Sequence, residues 1–144
     1  MTAPSQARLK AACETLARVD PALAIAYDVT GLPVWRAGAP TYAMLARMIT
    51  HQQISLGAAA AIWARTEALL GEVTPEAVLA ADPDALRACG QSRPKVGHLT
   101  SIAQSLVTGT LSLPRVCTAP LDDARRELVA VKGIGPWTAE LFLL

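Results

Sequence analysis

Helix start and stop signals divide this chain into short segments, and they limit its possible folds more than any other feature. A capping residue precedes proline at Asp20-Pro21, Thr74-Pro75 and Asp82-Pro83, and a proline in the first turn of a helix removes no hydrogen bond that the helix needs. Gly71 ends one of the apolar periodic segments between these starts. No segment shows the alternation that is typical of a strand. The pattern predicts an all-α fold, a compact bundle of roughly seven to nine helices.

The apolar spacing then places the individual helices along the chain. The first predicted segments are a helix over 5–19, a short helix opened by Pro21 and a loop over 28–40. The middle of the chain is predicted to form a helix through Tyr42, Leu45, Met48 and Ile49, a break near 52–55, a longer helix through Ala58, Ile62 and Leu69, and short helices from Pro75 and Pro83. The last predicted segments are a helix over 93–108, a helix over 121–131, a turn at 132–136 and a helix over 137–144.

The composition is that of one globular domain. Hydrophobic residues are 52% of the 144 residues, charged residues 17% and aromatic residues 4%, so the chain can bury a core and favours helix over sheet. The formal net charge of +1 excludes a strongly basic tail that coats nucleic acid. A few cations and backbone amides can still hold a duplex. We therefore expect a single domain over residues 1–144.

The cysteines and the apolar segments bear on the cellular compartment. Cys13, Cys89 and Cys117 have no metal-ligand spacing, so we expect neither a zinc site nor a disulfide framework, and an odd count suits a reducing compartment. The first residues lack the features of a signal peptide, and the apolar stretches are shorter than a membrane span. These features predict a soluble cytoplasmic protein without membrane contact.

Two glycines separate the last two predicted helices in the stretch Lys132-Gly133-Ile134-Gly135-Pro136. They permit a very short hairpin in which the isoleucine points inward. The amides that follow lie at the start of a helix, where N–H groups and the helix dipole favour an anion such as a DNA phosphate. A plain corner between two helices would carry the same glycine spacing, so this spacing leaves both interpretations open.

The longer string K-G-I-G-P-W-T-A at 132–139 is more specific. It closely resembles the helix–hairpin–helix of the base-excision DNA glycosylases, the HhH-GPD superfamily, and the chain from about residue 20 onward resembles the DNA-3-methyladenine glycosylase II type. The resemblance implies the HhH-GPD fold, a lysine contact and backbone N–H contacts to a DNA phosphate, and a monovalent cation, Na⁺ or K⁺, on backbone carbonyls; no other cofactor is implied. The implied phosphate-binding residues are Lys132, Gly133, Gly135 and Thr138, and the implied carbonyls are those of Val129, Val131 and Ile134.

A second stretch, I-T-H-Q-Q-I-S at 49–55, resembles a segment of the alkylpurine branch of this family. Its adjacent amides, Gln52 and Gln53, could offer hydrogen-bond donors and acceptors to base edges or to a gap in the DNA backbone. The alternative is that both glutamines face solvent or cap the next helix.

A third region, C-G-Q-S-R-P-K at 89–95, resembles the loop that fills the space left by a flipped nucleotide. The resemblance makes Gln91 the candidate wedge, and Arg93 and Lys95 could hold nearby phosphates. The alternative is an ordinary solvated polar loop.

Trp137 distinguishes subclasses within the resemblance. Members that also cleave the DNA backbone carry a lysine nucleophile at this position, so a tryptophan implies a monofunctional enzyme. Its ring could stack on a cationic alkylated purine, with Leu141 one turn later in the same pocket. The alternative is a core tryptophan that braces the hairpin.

The resemblance also implies a catalytic aspartate roughly twenty residues beyond the tryptophan, where a carboxylate can stabilise positive charge on the sugar or help to activate water. The sequence ends at Leu144, so we expect no catalytic residue within it and expect it to be a fragment. Glu140 should be directed elsewhere, and Asp122 and Asp123 should cap the preceding helix.

Three functions are open at this point. The first is a DNA-3-methyladenine glycosylase that flips and hydrolyses alkylated purines out of duplex DNA, as a monomer in the cytoplasm, at the nucleoid in a bacterium. The second is a catalytically dead fragment that grips DNA phosphates through the hairpin. The third is a small helical interaction protein with no DNA affinity.

Overall fold

Helices make up the regular structure, and no strand occurs in residues 4–34 and 38–144, which the computed structural model describes. The all-α prediction is therefore confirmed. The chain forms two compact units, Met1–Ala37 and Gly38–Leu144, and the expectation of a single domain over 1–144 stays a prediction. The helices are α1 (Gln6–Val19), α2 (Pro21–Thr30), α3 (Tyr42–His51), α4 (Leu56–Leu70), α5 (Pro75–Ala80), α6 (Pro83–Ala88), α7 (Arg93–Val107), α8 (Leu113–Thr118), α9 (Leu121–Val129) and α10 (Pro136–Leu143).

The first unit consists of two capped helices in contact with each other. Asp20 ends α1 and caps α2, because its carboxylate accepts a hydrogen bond of 2.8 Å from the amide of Ala22. No residue of α1 or α2 is buried. The predicted loop over 28–40 begins later than expected, since α2 continues to Thr30, and its residues 35–37 lie outside the described part of the chain.

The second unit has its core where α3 and α7 meet. Leu45 and Ile49 of α3 and Leu99 and Ile102 of α7 are at most 1% exposed. The hydroxyl of Tyr42 donates to the carbonyl of Leu99 over 3.0 Å, and burial raises the pKa of this tyrosine. α3 also contacts α4 and α10. The end of α3 is thereby fixed against three other helices.

Local capping signals predicted the starts of α5 and α6 in this unit. Thr74 accepts from the Ala77 amide and Asp82 from the Asp84 amide, each before a proline. α8 was not predicted, because its six residues are too short to show a period. It begins at a Ser112 cap, and its addition brings the described helices to ten.

The predicted longer helix forms as α4, which buries Ala59, Trp63 and Thr66; the residues by which it was predicted, Ala58, Ile62 and Leu69, are not among its buried residues. One predicted detail is wrong. Asp122 and Asp123 do not cap α9, whose N-cap is Pro120; they pair with arginines one turn later on the same helix.

In residues 4–34 and 38–144, no helix is both long enough and apolar enough to cross a membrane.

Candidate nucleic-acid interface

The turn between α9 and α10 is held from inside by an apolar side chain and a close backbone contact. Ile134 is 3% exposed, as predicted for the residue that pins the turn, and its amide donates to the Val131 carbonyl over 3.0 Å. Gly133 has a φ of +105°, and a Cβ atom at this position would lie 2.5 Å from the Cβ of His98 on α7. Only glycine satisfies both conditions, so the short hairpin depends on it.

The same turn leaves a row of backbone donors without acceptors. α10 begins with a proline and has no side-chain cap. Unpaired amides at the start of a helix favour an anion. The amides with no acceptor among the described residues are those of Lys132, Gly133, Gly135, Trp137 and Thr138. These include the residues predicted to bind phosphate, and their contact with DNA stays a prediction.

An open pocket of about 700 Å³ lies beside the start of α10. Trp137 and Leu141 both line it, and Trp137 is 68% exposed. The alternative that Trp137 braces the core is therefore wrong, because its ring lies at the surface of the pocket. The lining residues are Met44, Arg47, Met48, His51, Gln52, Gln53, Gly135, Pro136, Trp137, Thr138 and Leu141.

One wall of this pocket was missed by sequence reasoning. Met44, Arg47, Met48 and His51 lie on one face of α3 and line the pocket. Their spacing of three and four residues was the available signal, but of these four residues only Met48 was used, as part of the apolar period that predicted the helix. His51 Nδ1 lies 2.8 Å from the carbonyl of Arg47; because a carbonyl can only accept, this nitrogen donates.

Gln52 and Gln53 follow α3 and have different environments. The Nε2 of Gln52 donates to the hydroxyl of Thr138 over 2.9 Å, which ties the end of α3 to the start of α10. Gln53 is exposed and has a φ of +58°, a conformation that non-glycine residues adopt rarely. Both residues line the pocket, and Gln53 is the more exposed of the two.

The corner between α6 and α7 does not present Gln91 to DNA, and this prediction is corrected by the structure. The side chain is 3% exposed, and its Nε2 donates to the hydroxyls of Thr50 and Thr66 over 2.9 and 3.3 Å. The Gln91 side chain is long enough to reach the buried threonines of α3 and α4. It therefore links these two helices and cannot enter a duplex.

Arg93 and Lys95, in the first turn of α7, also differ from each other. Arg93 is exposed, as a phosphate contact requires. Lys95 is half-buried, and its Nζ donates to the carbonyls of Thr50 and Gln52, each over 2.8 Å. Loss of water around the ammonium lowers its pKa. The prediction that Lys95 holds a phosphate conflicts with these internal contacts.

The carbonyls predicted to hold a cation lie around the hairpin. Those of Val129 and Ile134 accept no hydrogen bond from a described residue, whereas that of Val131 accepts from the Ile134 amide. A carbonyl oxygen has two lone pairs, so each of the three keeps at least one lone pair for a cation. The cation stays a prediction.

Among the described residues, none that lines the pocket is a carboxylate. Glu140 forms an ion pair with Arg125 of α9, which agrees with the expectation that it is directed away from Trp137. The pocket wall formed by these residues can stack and hydrogen-bond a ligand, but it contains no acid for bond cleavage.

Comparison with known proteins gives a consistent family. The family model "HhH-GPD superfamily base excision DNA repair protein" matches residues 46–136. The chain is 34% identical to DNA-3-methyladenine glycosylase 2 of Escherichia coli K12 in an alignment of 109 residues that covers 68% of this chain and 38% of that protein.

Two solved structures are similar as well. One is a DNA-3-methyladenine glycosidase from Bacillus halodurans, with a TM-score of 0.73 and 31% identity over 81% of this chain and 54% of that one. The other is the 3-methyladenine DNA glycosylase of Schizosaccharomyces pombe in complex with abasic DNA, with a TM-score of 0.67 and 30% identity over 77% of this chain and 58% of that one. The chain thus spans between 38% and 58% of the length of these three relatives. With the hairpin and pocket described above, these similarities show that the chain belongs to the HhH-GPD superfamily of base excision DNA repair proteins.

Proposed function

We propose that this protein binds damaged double-stranded DNA and takes a flipped alkylated purine, such as 3-methyladenine, into the pocket beside Trp137. In the complete reaction, water adds to C1′ of the sugar and the bond from C1′ to the purine nitrogen breaks, which releases the free base. A tryptophan cannot form a Schiff base, so the backbone would stay intact. The named activity of the relatives supports this proposal.

One observation carries the proposal: the phosphate donors and the base pocket share the start of α10. The amides of Gly135 and Thr138 have no acceptors within the described residues, and both residues line the pocket. A nucleotide carries its phosphate and its base on one sugar, so a flipped nucleotide needs both sites close together. A phosphate site on a remote corner would not meet this requirement.

The pocket wall suits an electron-poor aromatic ring. Trp137 offers an exposed π face, which attracts a cationic purine, and two methionine side chains add polarisable surface. The exposed Gln53 stands at the rim and would enter the duplex in place of the flipped base. Arg93 would hold a neighbouring phosphate.

The remaining features of the proposal concern assembly and location. The protein would act as a monomer, with a Na⁺ or K⁺ ion on the hairpin carbonyls that helps to keep the amides turned toward the phosphate. It would work in the cytoplasm, at the nucleoid in a bacterium.

A second function is favoured by the absence of a carboxylate from the pocket lining. The described residues would then recognise distorted DNA and release no base. Measuring base release from methylated duplex next to binding separates the two functions.

The test changes Gly135, the N-cap of α10. Asp and Asn at this position are both good helix caps, and a Cβ atom there meets nothing within 4 Å, so both variants should fold. Only aspartate places a negative charge against the phosphate. We expect Gly135→Asp to bind duplex at least about tenfold more weakly than Gly135→Asn at low salt, with a smaller gap at high salt. Equal affinity of the two variants would contradict phosphate binding by the hairpin.

A further inference from the structure

The C-terminal end of α3 is hydrogen-bonded by the ammonium group of Lys95, a residue in the first turn of α7. The Nζ of Lys95 donates to the carbonyls of Thr50 and Gln52, each over 2.8 Å. These two residues are the last but one of α3 and its C-cap. The last carbonyls of a helix have no partner within the helix and lie at the negative end of its dipole. A lysine from another helix satisfies both needs at once.

Two further contacts hold the same corner. The Thr50 hydroxyl accepts from the buried Gln91, and the Gln52 amide donates to Thr138. The end of α3 is thus fixed at its carbonyls, at one hydroxyl and at one amide. The next residue, Gln53, has a φ of +58° and is exposed at the rim of the pocket. A residue in this rare conformation persists only where its surroundings determine it.

A direct phosphate contact is the competing role for Lys95. An ammonium group has three hydrogens, and two of them are committed to protein carbonyls. The group is also partly withdrawn from water, whereas Arg93 two residues earlier is exposed. The two cations of this turn therefore have different surroundings: Arg93 faces solvent, and Lys95 faces the end of α3.

We propose that Lys95 is a positioning residue, which holds the corner of Gln52 and Gln53 so that Gln53 is aimed at the gap in a damaged duplex. This inference rests on the proposed function, because it assumes that Gln53 enters the duplex. Lys95 acts through the backbone of α3 and does not contact the DNA.

The experiment compares Lys95→Met with Arg93→Met, since each variant removes one positive charge from the same turn. Binding is measured against salt for an intact duplex and for a duplex with a tetrahydrofuran abasic analogue. 2-Aminopurine beside the analogue reports whether a side chain enters the stack. Thermal unfolding of each variant is recorded in parallel.

We expect Arg93→Met to reduce the salt slope by about 0.9, the share of one phosphate contact, and to keep the preference for the abasic duplex. Lys95→Met should leave the slope unchanged, reduce that preference by about tenfold and abolish the 2-aminopurine signal. A reduced slope with an unchanged preference in Lys95→Met would overturn the positioning role and assign the residue to a phosphate.

Lys95→Arg decides the question if Lys95→Met does not fold. A guanidinium is larger than an ammonium and planar, so it keeps the charge but shifts the position and geometry of the two carbonyl contacts. A positioning role predicts an unchanged slope with a preference reduced about threefold, and a phosphate contact predicts no change in either. If the unmodified protein shows no preference for the abasic duplex, the proposed function itself fails. A preference that survives in the Lys95 variants overturns this inference alone.

Discussion

Two glycine-containing corners of this molecule have similar backbone geometry but differ in how their polar groups are paired. In the α9–α10 hairpin, Gly133 has a positive φ and packs against His98; between α6 and α7, Gly90 has a positive φ and packs against Ile62 and Arg65. In both corners a side chain on the glycine would collide with a neighbour. Sequence reasoning assigned DNA contacts to both.

The difference lies in where the polar groups of each corner find partners. The hairpin leaves five amides without acceptors among the described residues. At the other corner the Cys89 carbonyl accepts from Arg65, the Gln91 amide meets two threonines, and Lys95 reaches the end of α3. A corner can bind a ligand only with groups that the protein has not already paired. By this criterion the hairpin is the stronger candidate for a binding surface. The α6–α7 corner uses the side chains of Gln91 and Lys95 internally, and the described residues leave it the unpaired amides of Gln91, Ser92 and Arg93.

The largest expected effect comes from adding a side chain at Gly133 of the hairpin. Gly133→Ala forces a non-glycine residue into a φ of +105° and places its Cβ against His98. We expect the free energy of unfolding to fall by about 2–4 kcal/mol. Gly135→Ala is the matched control, because its Cβ meets nothing within 4 Å, and it should lose less than about 1 kcal/mol. Chemical denaturation measures both, and equal losses would remove the special role of Gly133.

A smaller effect should follow from removing the buried side-chain amide of the α6–α7 corner. Gln91→Ala removes a buried amide from between Thr50 and Thr66 and should lower the free energy of unfolding by about 1–3 kcal/mol. Gln53→Ala, which changes an exposed side chain, should stay within about 0.5 kcal/mol. If Gln91→Ala unfolded like the unmodified protein but bound the abasic duplex more weakly, Gln91 would be a DNA-contacting residue after all.

The smallest expected effect is the pH dependence of the free energy of unfolding that Lys95 contributes. Loss of water around Lys95 lowers its pKa below that of a lysine in the unfolded chain. Between these two pKa values the unfolded chain binds more protons, so the contribution of Lys95 to the free energy of unfolding rises with pH in that window. We expect the stability of the unmodified protein relative to Lys95→Met to increase on going from neutral to alkaline pH. A decrease would mean that the charged form is the one favoured by folding.

The contrast between the two units shows how far local signals extend. The caps at Asp20, Thr74 and Asp82 were predicted from neighbouring residues, and all three form. The same kind of signal opens α2, which buries none of its residues, and α5, which buries Val78. Capping therefore determines where a helix begins and carries no information about what covers it.

The candidate binding site was predictable to the same extent. Trp137, Leu141 and the hairpin amides lie where the motif placed them, because they are close together along the chain. The methionines and His51 of α3 were missed, since their place in the pocket depends on how α3 packs against α10.

The sequence by itself determined the helical class, most helix starts, the pinned hairpin and the placement of Trp137 beside it, because each depends on residues within a few positions of one another. Only the tertiary structure decided the roles of Gln91, Lys95 and Gln52. Their partners lie 41, 45 and 86 positions away along the chain. Whether a polar side chain faces DNA or the interior is set by the groups that packing brings to it, and no local pattern records those groups.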